Sequence, residues 1–135
     1  MSPRVRLFGN ALLAWLGLFA LAFANGALRE LVLAPRLGAR AVPLSGVTAI
    51  AAFAVAIAVF VRRARPAGGE AVGIGLLWLA LTLTAELLMT VAAGRPASMV
   101  AAAFTWHALA GGNLFAVLVA FTALAPALFV WRMRR

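Results

Sequence analysis

Four stretches of this chain run for about twenty residues with almost no charge, and that recurrence restricts the possible folds more than any motif does. They lie at Phe8–Leu33, Leu44–Val61, Ala71–Ala93 and Ala108–Trp131. A helix rising 1.5 Å per residue crosses the ~30 Å hydrocarbon core of a bilayer in about 20 residues, so each stretch is expected to be a transmembrane helix. The rest of the composition agrees: 66% of the residues are hydrophobic and 11% charged, too little polar surface for a soluble domain of this length. The links "APRLGARAVP", "RRARPAGGE" and "GRPAS" are short and rich in Pro, Gly and Arg, and read as turns. Short links make successive helices antiparallel neighbours. The expected fold is therefore an all-α membrane protein, an up-down bundle of four transmembrane helices forming one integral membrane domain over residues 1–135.

The segment "ASMVAAAFTW", Ala97 to Trp106, does not belong to any of the four runs. Joined to the last one it would make a helix of about 52 Å, too long for one crossing without extreme tilt. It is expected to form a short interfacial helix before the fourth span, with Ser98 as its cap and Gly111-Gly112 as the break that follows.

The net charge of +9 comes from twelve cationic residues, all arginine, against three glutamates. In a soluble chain such a balance would suggest nucleic acid. Here the arginines sit between apolar runs, as residues that set membrane topology do, and nucleic acid is not an expected partner. Arg4, Arg6, Arg62, Arg63, Arg65, Arg132, Arg134 and Arg135 fall on one side of a four-span arrangement, and Arg36, Arg40 and Arg95 on the other. Both termini are thus expected to be cytoplasmic. A composition rich in Ala, Arg and Gly, with neither Lys nor Asp, leans towards a GC-rich bacterial genome, so the expected location is a bacterial cytoplasmic (inner) membrane. "MSPRVR", the apolar run and "AFA" before Asn25 also follow the pattern of a cleavable signal peptide, but the run is read here as a retained span. No cysteine is present, which excludes disulfides and thiolate metal sites.

Polar residues inside a membrane span are costly and need a reason. With the termini inside, Asn25, Arg29, Glu30, Glu86, Arg95, His107 and Asn113 all fall near the outer boundary, whereas the inner halves hold almost nothing ionisable. These seven are read as one polar cluster, structural or on a solute or proton path. Asn25 and Arg29 share a helical face; Trp78, Thr82, Glu86 and Thr90 form a stripe every four residues that can face the interior. Arg29 is expected to meet Glu86 across the first and third spans, with Asn25 adding a hydrogen bond and Glu30 turned to the interface or to Arg95.

A small-residue ladder at Ala108, Gly112, Ala116 and Ala120 is expected to be the close-packing stripe of the fourth span. His107 is expected to be an interfacial residue; with no second histidine, the chain cannot itself build a bis-histidine haem site. No Ser/His/Asp set, metal-ligand cluster or phosphate loop is visible, so no catalytic residue, metal or cofactor is expected.

"NGALRE" in the first span, the late Glu of the third and the Gly-Arg-Pro link after it resemble a group of small, uncharacterised four-span bacterial membrane proteins with an Asn-Gly-x-x-Arg-Glu signature. That resemblance implies Asn25, Gly26, Arg29, Glu30 and Glu86 as the shared polar set. Before the last span, where the group would carry Asp-Tyr-Asn and then Gly-Arg-Leu-Trp, this chain has "TWHALAGGNLF", with Asn113 in place of the Arg. The resemblance implies architecture and no activity.

The functional expectation is a non-catalytic small polytopic inner-membrane protein, an accessory subunit of a larger membrane complex, whose polar cluster locks helices together. The alternative is a small oligomeric transporter or channel using Glu86 and Arg29. Expected partners are the lipid bilayer and either further copies of the chain or a larger membrane complex. The state of Glu86 separates the two readings: enclosed by Arg29 and Asn25 it is a lock, facing water it is part of a path.

Overall fold

A computed structural model describes all 135 residues, and the chain is helical throughout, with no strand. Helix α1 spans Pro3–Leu28 and passes through a π-helical turn, Arg29–Leu33, into the short α2, Ala34–Leu37. A 3-10 turn, Gly38–Arg40, leads into α3, Ala41–Ala64. Helix α4 covers Gly68–Ala92, α5 Ser98–Ala102, α6 Trp106–Ala110 and α7 Phe115–Met133. Three helical runs are long and apolar enough to cross a membrane: Pro3–Ala64, Gly68–Ala92 and Phe115–Met133. The first, at 62 residues, is folded back on itself. Gly38 takes φ 58°, a left-handed conformation that side chains disfavour, and α3 returns along α1.

Local chemistry explains the helix ends. Ser2 accepts a hydrogen bond from the Val5 amide, and Pro3, lacking an N–H, starts α1 without wasting a donor. Pro35 has no N–H to continue an α-helical ladder, and its ring crowds the carbonyl one turn back, so the wider π turn just before it relieves the conflict. Glu70 caps α4 by accepting from the Ala67 amide at 2.8 Å. At the other end of α4, Gly94 with φ 75° and the bond from the Arg95 amide to the Thr90 carbonyl form a Schellman stop.

The interfacial segment differs from the expected single helix. Thr105 donates to the Ala102 carbonyl and accepts from the Ala108 amide, ending α5 and capping α6, whereas Ser98 caps nothing. The small-residue ladder is also broken. Ala108 lies in α6, Gly112 sits in a left-handed turn with φ 90°, and only Ala116 and Ala120 belong to α7. Asn113 causes the break by accepting from the Phe115 amide, a local bond that competes with a continuous helix.

Close packing occurs elsewhere. The most extensive helix contact is α4 against α7, and a Cβ on Gly75 would collide with the Ala123 carbonyl. The dry core, including Leu18, Ile57, Val61, Ile74, Trp78 and Val130, occupies the half of the molecule that holds both termini. At that same end Arg4 pairs with Glu70 at 3.7 Å, and the Arg134 guanidinium lies over Gly68.

Candidate functional site

At the opposite end, the helices enclose a cavity of about 730 Å³. Of the seven residues expected to cluster, Asn25, Arg29, Glu30, Glu86, Arg95 and Asn113 line it. His107 does not; it is exposed on α6, next to a Trp106 that is 80% exposed. Met99 and Ala103, on and just after α5, complete the wall, so this segment borders the cavity.

The pairings inside the cluster are not the expected ones. Arg29 bonds its sequence neighbour Glu30, Nε to Oε1 at 3.0 Å, and makes no ion pair with Glu86. The π turn begins at Arg29 and changes the rotation between neighbouring residues, and the long arginine stem folds back to meet a carboxylate already beside it. With the side chains 37% and 67% exposed, this pair contributes less than about 1 kcal/mol.

Asn25 is committed to α3. Its amide donates to the Ser45 carbonyl at 3.0 Å and to the Ser45 hydroxyl at 2.7 Å, while its Oδ1 accepts from Thr48 at 3.0 Å. This is an interhelical lock, built without Arg29 or Glu86. Ser45 and Thr48 were outside the sequence-derived cluster, which drew on ionisable and amide side chains. Their signal was present in "LSGVT", two hydroxyls three residues apart in an apolar run.

The four-residue stripe on α4 does face inward. Trp78 is fully buried below the cavity, and Thr82, Glu86 and Thr90 line its wall. Below the cavity Trp78 donates to the Ala11 carbonyl at 2.8 Å, and Trp15, which lines the cavity, donates to the Thr82 hydroxyl at 3.1 Å. The polar lining residues Asn25, Ser45, Glu86 and Thr90 stand among a mostly hydrophobic wall.

Glu86 is the lining carboxylate that no residue of the chain engages by ion pair or side-chain hydrogen bond. No side-chain polar atom of the molecule is both buried and unpartnered, so the Glu86 carboxylate oxygens retain accessible surface. Arg95, exposed beyond the Schellman stop, stands at the rim. On α3 and at the start of α7 the polar lining is uncharged, Ser45 and Asn113. Gly46 leaves room for Leu114 here, since a Cβ would come within 2.8 Å of the Leu114 side chain.

The arrangement places an unpaired carboxylate, Glu86, on the wall and an unpaired guanidinium, Arg95, at the rim of a half-enclosed, largely apolar space. No protein-family model, curated protein or solved structure matches the chain.

Proposed function

We propose that the chain is a non-catalytic bacterial inner-membrane protein of four spans, α1, α3, α4 and α7, and that its outer half holds a binding cavity for a small solute, as in a small transporter or channel. The observation that carries this reading is Glu86, a carboxylate on the cavity wall that forms no ion pair within the chain. A carboxylate kept in a membrane span without a partner is expensive unless water or a ligand reaches it. Helix locking falls to Asn25, Ser45 and Thr48 instead, so the lock and the cavity use different side chains. The arginine-rich end, with Arg4 against Glu70 and Arg134 over Gly68, is the cytoplasmic side in this reading.

The accessory-subunit reading keeps one observation of its own, the exposed Trp106 beyond the packed helices, although an interfacial tryptophan also suits a headgroup layer.

Single cysteines test the proposal cleanly because the chain has none of its own. Thr90→Cys and Asn113→Cys should react with a membrane-impermeant maleimide added outside intact cells, and Arg63→Cys only after permeabilisation. External labelling of the Arg63 variant would invert the topology. Silence at both cavity positions would remove aqueous access and with it the solute reading.

A further inference from the structure

We propose that the cavity takes an amphipathic organic cation, its charged head at Glu86 and its apolar body against the Trp15–Phe19 wall; this rests on the solute-cavity reading above. The charges decide the sign of the ligand. Arg29 is already bonded to Glu30, and Arg95 stands in the exposed link past the end of α4. Arg29 and Arg95 line the same cavity, but neither forms an ion pair with Glu86, and a carboxylate that lacks a direct partner in such surroundings favours a cation.

The walls decide the ligand's body. Most residues lining the cavity are hydrophobic, and its volume lies within the usual range for small-molecule sites. Trp15 and Phe19 stand with ring centroids 5.4 Å apart. Because the Trp15 indole is held by Thr82, and Thr82 lies one turn below Glu86 on α4, the aromatic surface sits about 5–6 Å along the helix from the carboxylate. A compact cation with an apolar body can meet both, by charge at one end and by cation–π and apolar contact at the other.

Two ions of matched size and shape and opposite charge, tetraphenylphosphonium and tetraphenylborate, test the proposal by equilibrium dialysis against the full-length protein in detergent. Tetraphenylphosphonium should bind the native protein about tenfold or more tightly than Glu86→Gln, with Glu86→Asp retaining most of the affinity and Glu70→Gln, at the opposite end of the molecule, all of it. Tetraphenylborate should not distinguish native protein from Glu86→Gln. Equal binding of both ions, a preference for tetraphenylborate, or unchanged cation binding in a folded Glu86→Gln would overturn the cation assignment. With Thr90→Cys still labelled from outside, such a result would leave the solute cavity standing; with labelling lost as well, both readings fall. Should Glu86→Gln not fold, loss of tetraphenylphosphonium binding on adding charge-matched competitor benzyltrimethylammonium, and not on adding benzenesulfonate, carries the same test on the native chain.

Discussion

Trp78 on α4 donates its indole N–H to the carbonyl of Ala11 on α1 at 2.8 Å, and one turn further on Trp15 of α1 returns a bond to Thr82 of α4. Both helices advance together between the two bonds, so α1 and α4 run parallel, stitched where the dry core meets the cavity. Trp78→Phe keeps most of the ring and removes the donor, and should cost about 1–2 kcal/mol. Trp78→Ala also empties a fully buried site and should cost about 3–5 kcal/mol. Denaturant unfolding in mixed micelles would measure both; equal losses would mean that the ring alone contributes.

Asn25 and Ser45 should behave as a coupled pair. Each change to Ala is expected to destabilise, and the double variant to cost less than the sum by about 0.6–1.7 kcal/mol, the range seen for hydrogen bonds between membrane helices. Thr48→Ala should weaken the same coupling, since its hydroxyl binds Asn25 as well. Strict additivity would remove the lock.

Arg29 and Glu86 should not couple in this way. They share the cavity but no ion pair, and a double-mutant cycle on stability should close to within about 0.5 kcal/mol. A coupling well above that would mean the two side chains meet in the membrane.

Gly75 should be the least replaceable glycine of the helices. Gly75→Ala drives a methyl group into the Ala123 carbonyl of α7, and overpacking of this kind costs about 1–3 kcal/mol or more. Gly17→Ala, on α1, meets nothing within 4 Å and should be tolerated or mildly stabilising. Thermal aggregation of the two variants in parallel is the direct comparison.

How much of this was legible beforehand follows from the range over which each property acts. Helical, membrane-suited character can be read from the runs themselves, because length and apolarity are local and a bilayer filters on both. The collection of Asn25, Arg29, Glu30, Glu86, Arg95 and Asn113 at one end was equally legible, since depth along a helix is a count of residues. His107 escaped that count because α6 is a separate piece, set apart by the Thr105 cap and the left-handed turn at Gly112.

Pairing was decided by the tertiary structure alone. Rotation about a helix axis determines which neighbour a side chain meets, and the π turn at Arg29 alters that rotation where the Arg29–Glu86 contact had been expected. In the same way, a chain this rich in alanine offers four-residue ladders everywhere, so the true close approach, Gly75 against Ala123, could emerge only once α4 and α7 were brought together. The sequence by itself determined which residues fall at the same end of the helices; only the packing of one helix on another determined which of them touch, because contact depends on azimuth, and a single turn, cap or left-handed glycine can reset it.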